Sequence, residues 1–156
     1  MFASAVQGAP VGASSNASGS TVVLRPLTVV KQADLDFGPI VVAGAGTAVI
    51  DATTGNMTLT GPLTKIGTSA HRALFTTTGS RNSVVLLRIP QQPVTLTRVG
   101  GTETMTVSNW TTDGPTNRRI PANQTFDFAV GGRLNVAAGQ ADGTYLGTFT
   151  VTVQYP

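Results

Sequence analysis

The last fourteen residues of the chain, Gly143 to Pro156 (GTYLGTFTVTVQYP), alternate between two sides of an extended backbone. One side carries Tyr145, Gly147, Phe149, Val151, Val153 and Tyr155, and the other carries Thr144, Leu146, Thr148, Thr150, Thr152 and Gln154. A period of two with β-branched and aromatic residues throughout predicts a half-buried β-strand. Because chain ends usually fray unless something holds them, we expect the neighbour of this strand to matter for function.

The composition is typical of a β-protein with a neutral surface. Only 11% of the 156 residues are charged, well below the usual quarter, and Thr, Gly, Val, Ala and Ser take their place. A chain of this length forms one domain with a sizeable core. The net charge of +3 includes a single adjacent basic pair, Arg118-Arg119, so the sequence disfavours nucleic-acid binding.

Targeting and covalent features give little information. The chain has no cysteine, so no disulfide framework exists, and no apolar run approaches the ~18 residues that predict a membrane span. Met1 to Ala13 lacks the basic start and long apolar core of a signal peptide. If the protein is exported, we expect most of its signal to have been removed from this sequence.

The middle of the chain reads as a succession of short strands separated by turn residues. Strands are predicted at Thr21 to Lys31, Leu35 to Val42, Thr47 to Asp51, Met57 to Thr60, Ala73 to Thr77, Val84 to Ile89, Val94 to Arg98, Met105 to Val107, Thr125 to Val130 and Arg133 to Ala137. Pro26 places the first strand at a sheet edge or a bend, and Gly131-Gly132 predicts a hairpin turn. Strands spaced by about eight to twelve residues predict an all-β sandwich or barrel.

The first twenty residues (MFASAVQGAPVGASSNASGS) are small, uncharged and rich in glycine and serine toward their end. One interpretation is a disordered leader. The other is an extended segment that folds on a partner, followed by Gly12 to Ser20 as a flexible tether. Under both interpretations the folded domain spans residues 21–156.

Residues that could support catalysis or metal binding are sparse. His71 is the only histidine, which excludes a His-based metal cluster, and its surroundings favour a solvated loop residue. Asp34 and Asp36 share a strand face but lack further ligands for calcium or a partner for acid–base chemistry. We therefore expect no enzyme, no metal and no cofactor. Trp110 is either a platform for sugar stacking or a tryptophan of the core or its seam.

Two features at the C-terminal end resemble bacterial pilins of the chaperone–usher type. These fimbrial subunits commonly end with an alternating strand that carries a penultimate tyrosine and a glycine fourteen residues from the C-terminus, positions held here by Tyr155 and Gly143. The blocks LTVVKQADLDFGPI, HRALFTTTGS and FDFAVGGRLNVAAGQADGTYLGTFTVTVQY also resemble a family of small secreted β-domains of unknown function from Gram-negative bacteria. The resemblance covers roughly Val22 to Tyr155, and the absence of a disulfide departs from many pilins.

The resemblance implies an incomplete immunoglobulin-like β-sandwich that a donor strand from a neighbouring subunit completes. The groove would lie between the first and last strands, and β-strand addition of this kind is an established mode of recognition. Its candidate acceptor residues are Val22, Leu24, Leu27, Tyr145, Phe149, Val151, Val153 and Tyr155. Candidate donor residues are Phe2, Ala3, Ala5, Val6, Ala9 and Val11.

The function that follows from the resemblance is a structural subunit of an extracellular, cell-surface filament serving adhesion or biofilm formation. Its partners would be identical subunits joined head to tail, a periplasmic chaperone and an outer-membrane usher. An alternative is a monomeric module, either carbohydrate-binding or a tip adhesin, that uses Trp110. A virion or surface-layer β-protein would share the same composition.

Overall fold

The structure is a computed structural model and describes residues 15–156. Within these residues it contains thirteen β-strands and no helix. The strands are β1 (Thr28–Ala33), β2 (Ile40–Val42), β3 (Gly46–Ile50), β4 (Met57–Thr60), β5 (Leu63–Lys65), β6 (Ala73–Thr78), β7 (Val84–Arg88), β8 (Val94–Arg98), β9 (Thr104–Thr112), β10 (Asn117–Arg119), β11 (Thr125–Val136), β12 (Tyr145–Leu146) and β13 (Thr152–Gln154). The prediction of an all-β fold is confirmed.

Three antiparallel sheets build the domain. The largest has eight strands, in the order β1-β6-β11-β9-β8-β12, with β3 paired to β11 and β4 paired to β3. A three-stranded sheet has the order β10-β7-β13, and β2 pairs with β5. Strand β11 is long enough to pair with β6 through its first half and with β3 through its second.

The two small sheets cover different parts of the large one, which gives two hydrophobic cores. The first core lies between the large sheet and the three-stranded sheet and consists of Ala73, Phe75, Val85, Leu87, Ile120, Phe128, Val130 and Val153. The second lies between the large sheet and the β2-β5 pair and consists of Phe37, Ala48, Ile50, Leu63, Val107, Leu134 and Val136. Trp110 packs against both cores, so it lies at their seam.

The predicted hairpin turn at Gly131-Gly132 is wrong, because both glycines are buried within β11. A side chain at Gly131 would place its Cβ 2.2 Å from the carbonyl oxygen of Ile50. Glycine in a strand interior often marks the close approach of another backbone, and here it allows β3 to lie against β11. The glycine pair that suggested a turn therefore marks a place where two strands pack closely.

A bulge in β9 faces the same part of β11. Between the pairs Gly131–Thr111 and Arg133–Ser108, β9 advances one residue more than β11. Asn109 lies in this bulge with a φ of 49°, in the left-handed region that asparagine tolerates better than most residues. The bulge therefore lets β9 remain paired with the long central strand on both sides of it.

Several predicted strands differ from the observed ones in their bounds. The first strand begins at Thr28 instead of Thr21, after Pro26, and it is an edge strand as predicted. Leu35 to Val42 is a strand only over Ile40–Val42, whereas the β9 region extends beyond the predicted Met105 to Val107. The sequence did not predict the short strands β5 and β10, which carry only three residues each.

Candidate functional site: an open sheet edge

The last fourteen residues do not form one strand, which corrects the prediction made from their alternation. β12 pairs with β8 in the large sheet, whereas β13 pairs with β7 in the three-stranded sheet. The residues between them cross from one layer to the other, and Phe149 packs there against Trp110, with 4.7 Å between the two ring centroids. The alternation still describes burial along the segment, because Phe149, Val151, Val153 and Tyr155 are all more buried than their neighbours Thr150 and Thr152.

The backbone of Val153 points away from the strand that pairs with β13. Val153 lies opposite Leu87 of β7, and the N–H of Leu87 donates to Thr116 on the other side of β7 at 2.8 Å. In an antiparallel pair, opposed residues exchange both hydrogen bonds or neither. Val153 therefore directs its N–H and C=O toward the outer edge of β13, where no strand of residues 15–156 pairs with it.

Strand β1 supplies the facing edge. It pairs with β6 on one side, and within residues 15–156 no strand pairs with its other side. β1 and β13 approach within 8 Å between Cα atoms without a shared hydrogen-bond ladder. The unpaired edges of β1 and β13 are called the open edge below.

Apolar side chains near β1 are unusually exposed. Val29 and Val30 of β1 are 36% and 53% exposed, and Val22 and Val23 before it are 83% and 89% exposed. Val29 lies opposite Thr77 of β6, which is fully buried and whose hydroxyl has no hydrogen-bond partner among the described residues. Buried polar groups usually have a partner, so this hydroxyl on the neighbouring strand is an exception among the described residues, and the exposed valines show that the edge at β1 is incompletely covered.

Tyr155 closes one end of the open edge. Its hydroxyl donates to the carbonyl of Arg25 at 2.8 Å and accepts the N–H of Ser80 at 2.9 Å. The N–H of Arg25 in turn donates to the Ser80 hydroxyl at 2.6 Å, and Leu27 packs against the first core. This arrangement, called the tyrosine clasp below, fixes the segment before β1 to the end of the chain.

The structure brings together only part of the acceptor set expected from the sequence. Leu27, Phe149, Val151, Val153 and Tyr155 all pack on the first core. Val22 and Leu24 are exposed and belong to no strand. The candidate donor residues Phe2, Ala3, Ala5, Val6, Ala9 and Val11 lie outside the described residues.

Tyr145 lies far from the open edge in the sheet order. It belongs to β12, at the opposite side of the large sheet from β1. Its hydroxyl donates to the carbonyl of Ala141 at 2.7 Å and accepts from the Gln140 side chain at 2.7 Å. Tyr145 therefore orders a loop and does not line the open edge. It was predicted as an acceptor residue because the alternating pattern continues through Leu146, where the chain crosses to the other sheet.

The residues considered for catalysis have other surroundings. His71 is exposed and exchanges backbone hydrogen bonds with Asp36 at 2.8 and 3.0 Å. Asp34 forms an exposed ion pair with Lys31 at 2.6 Å, and Asp36 accepts the N–H of Gly38. Over residues 15–156 no group of three or more acidic or histidine side chains is arranged to hold a metal ion, and no helix is long and apolar enough to cross a membrane.

Two carboxylates in hairpin loops have a perturbed pKa. The pKa of Asp51 is lowered from 3.8, chiefly because the backbone N–H and hydroxyl of Thr54 donate to its carboxylate. The pKa of Glu103 is lowered from 4.5 by its own backbone N–H and by the Arg98 guanidinium. Both residues follow strands of the large sheet, so these charges stabilise loop conformations away from the open edge.

Comparison with known proteins gives one match. The family model described as "Domain of unknown function (DUF4402)" matches residues 27–155. Searches of curated proteins and of solved structures gave no match.

Proposed function

The chain belongs to the DUF4402 family, a family without an assigned function, and from its open edge we propose that it is a structural subunit of an extracellular bacterial filament. Each subunit donates its N-terminal segment to the open edge of the next copy. The observation that carries this proposal is the backbone of Val153, whose N–H and C=O face an edge with no partner strand among residues 15–156. Such an edge is a template for strand addition.

The energetic gain of strand addition has two sources. Each ladder hydrogen bond contributes ~0.5–1.5 kcal/mol, and each large apolar side chain that becomes fully buried contributes ~1.5–3 kcal/mol. In the N-terminal segment these are Phe2, Val6 and Val11, whereas Ala3, Ala5 and Ala9 contribute less. Slow dissociation then maintains the assembly as much as equilibrium stability does.

The geometry of the edge constrains how a donor enters. A strand that pairs with both β1 and β13 holds them about 9.6 Å apart, because neighbouring strands are ~4.8 Å apart. The two strands have Cα atoms within 8 Å of each other, so they must separate by at least about 1.6 Å where they are closest. The tyrosine clasp blocks the end near Tyr155, so the donor pairs alongside Val153 and Val151 and stops short of Arg25.

Head-to-tail insertion explains why the product is a filament. The donor segment and the open edge are different surfaces of one subunit, so the contact is heterologous and propagates unless the rotation closes a ring. The same proposal includes export through the periplasm with a chaperone that protects the open edge, an outer-membrane usher, and a role in adhesion or biofilm formation. A subunit with an unprotected edge would aggregate through that edge.

Deletion of residues 1–11 tests the donor directly. We expect the shortened chain to fold, because the described strands begin at Thr28, and to form no filaments in electron micrographs of secreted material. Filaments of normal yield would rule out this donor. If the full-length chain elutes as a monomer at all concentrations in size-exclusion chromatography, the alternative of a monomeric binding module is favoured.

Amide hydrogen exchange tests the acceptor side. The Val153 amide should exchange rapidly in the shortened monomer and slowly in filaments, because only the donor gives it a partner. The amides of Thr152 and Gln154 face β7 and should be protected in both states. Equal protection of Val153 in both states would contradict the proposed pairing.

A charge placed on each side of the last strand provides a matched pair of variants. Val151→Asp places a carboxylate against the first core at the open edge and should abolish filament formation. Thr152→Asp introduces the same charge on the exposed face and should assemble normally. Equal assembly of the two variants would show that the inner side of this segment takes no part in polymerisation.

A further inference from the structure

A small neutral cleft lies at the end of β7 opposite to the tyrosine clasp, and we propose that it binds a neutral saccharide. The cleft has a volume of about 260 Å³ and is lined by the loop after β7 and by the bulge of β9. Gln154 lies opposite Leu86 and Thr152 opposite Arg88, so β7 runs from the Tyr155 end toward this loop. The cleft therefore lies apart from the clasped end of the open edge.

The bulge of β9 contributes Asn109 to the lining of the cleft. Asn109 is exposed and has a φ of 49°, a backbone conformation that is sparsely populated by residues other than glycine. Bulges often re-aim a side chain next to a binding site, and non-glycine residues held in the left-handed region cluster at ligand clamps. The bulge and the cleft are separate observations that coincide at this residue.

Hydrogen bonds join Trp110 and Gln91 to the loop after β7. The indole Nε1–H of Trp110 donates to the carbonyl of Gln92 at 3.2 Å, and the Gln91 side chain donates to the carbonyl of Ile89 at 3.1 Å. One side of the indole packs on Phe149 at 4.7 Å between ring centroids. Trp110 is half-buried between the two cores, so the part of its ring that lines the cleft is held in place, and a pre-ordered lining reduces the entropy lost on binding.

The chemistry of the lining selects an uncharged ligand with several hydroxyl groups. No lining residue is ionisable: the cleft consists of two prolines, two glutamines, Ser108, Asn109 and Trp110. A charged ligand would find no counter-charge among the lining residues to offset whatever hydration it loses. Amide side chains offer a donor and an acceptor together, as neighbouring sugar hydroxyls require, while the two proline rings and the exposed part of the indole offer apolar surface to a sugar. The cleft is below the ~300–1,000 Å³ of sites for drug-sized ligands, which fits a single sugar ring.

The test is a titration with single sugars, followed by nuclear magnetic resonance, of the isotope-labelled full chain and of the chain without residues 1–11, which is expected to fold without forming filaments. The probes are glucose, galactose, mannose, N-acetylglucosamine and N-acetylgalactosamine, with glucuronic acid as the anionic comparison. We expect at least one neutral sugar at millimolar concentration to shift the Trp110 indole N–H and the side-chain amides of Gln92 and Asn109. Glucuronic acid should bind at least tenfold more weakly.

Two variants locate the site, and a third controls for the substitution. Asn109→Gly removes the amide but suits the positive φ, and Gln92→Ala leaves intact the carbonyl that holds Trp110. Each should weaken binding at least tenfold with an unchanged melting temperature. Asn82 also has a left-handed backbone, with a φ of 61°, and precedes β7 at its far end, so Asn82→Gly should bind like the parent chain.

The proposal is overturned if no neutral sugar in the panel shifts these resonances, or if glucuronic acid binds as tightly as the neutral sugars. It is also overturned if binding persists unchanged in both Asn109→Gly and Gln92→Ala. Because the same resonance shifts can be measured in the chain without residues 1–11, the test does not depend on filament formation, and failure of either proposal leaves the other standing.

Discussion

Removal of a single hydroxyl group, by Tyr155→Phe, tests whether the tyrosine clasp contributes to the stability of the domain. The hydroxyl joins Arg25 and Ser80, which are 130 and 75 residues away in the sequence. Phenylalanine keeps the ring that packs on the first core, so the substitution removes hydrogen bonds with little loss of packing. The expected effect is therefore that of two lost polar contacts.

The magnitude follows from the burial of the two partners. The bond from Ser80 N–H is partly buried, and a buried donor without a partner costs ~1–3 kcal/mol. The Arg25 carbonyl is on an exposed bond and is solvated by water when the hydroxyl is removed, so it adds little. We expect a loss of about 2 kcal/mol in the free energy of unfolding, which lowers the melting temperature of a domain of this size by roughly 4–8 °C.

The matched control is Tyr145→Phe, measured with the same calorimetric and urea-unfolding assays. Its hydroxyl also makes two hydrogen bonds, but to Ala141 and Gln140 within one loop, so its removal loosens only that loop. Both bonds are partly buried, but the loop can open to water, so we expect a smaller loss of about 1 kcal/mol. In Tyr155→Phe the Ser80 amide should also lose protection against hydrogen exchange. Equal destabilisation by the two variants, or retained protection at Ser80, would refute the role given to the clasp.

Three further substitutions test the packing and the loop electrostatics. Gly131→Ala should destabilise the fold by about 3 kcal/mol or more, because its Cβ would lie 2.2 Å from a carbonyl oxygen of β3. The control is Gly132→Ala, where the nearest atom to the new Cβ is 3.1 Å away. If urea unfolding showed a smaller loss for Gly131→Ala than for Gly132→Ala, the close-approach argument would be contradicted. Leu87→Ala should lower the free energy of unfolding by about 2–5 kcal/mol, since this side chain is 2% exposed. Val84 on the same strand is 43% exposed, so Val84→Ala should change that free energy by less than about 1 kcal/mol. Similar losses in the two variants would contradict the assignment of Leu87 to the core face. The pKa of Asp51 in the folded chain is lowered from 3.8, so its stabilising effect is complete above the unfolded pKa and is lost as pH falls through the folded pKa. Asp51→Asn should therefore be less stable than the parent chain at neutral pH and equally stable in strong acid. A difference in stability that persists in acid would contradict this linkage.

Local patterns of polarity were sufficient for the fold class and for many strands. The strand predicted at Met57 to Thr60 has the observed bounds, and the strand containing Ala73 to Thr77 is extended by one residue only. The edge position predicted for the first strand is confirmed, but Pro26, which was expected inside that strand, lies before Thr28, where the strand begins. The inward side of the last segment could also be read from its period of two, since Val153 is buried and Thr152 is exposed.

The features that were predicted incorrectly depend on contacts between residues far apart in the sequence. Gly131-Gly132 has the composition of a turn, but its role depends on β3, a strand some eighty residues earlier in the chain. Tyr145 and Val153 have the same local pattern, yet they lie in different sheets because the chain crosses between layers after Leu146. The bulge at Asn109 and the cleft beside it also depend on pairing with β11, and nothing in the sequence around Asn109 identifies them.

The sequence by itself determined that this chain is an all-β protein with a neutral, hydroxyl-rich surface and a strongly alternating C-terminal segment, because polarity and periodicity act over a few neighbouring residues. Only the tertiary structure decided which edges are left without a partner among residues 15–156. Whether the backbone of Val153 faces β7 or the open edge depends on the register of β7 between β10 and β13. Register is a property of the paired strands together, since the same alternation fits either direction of hydrogen bonding.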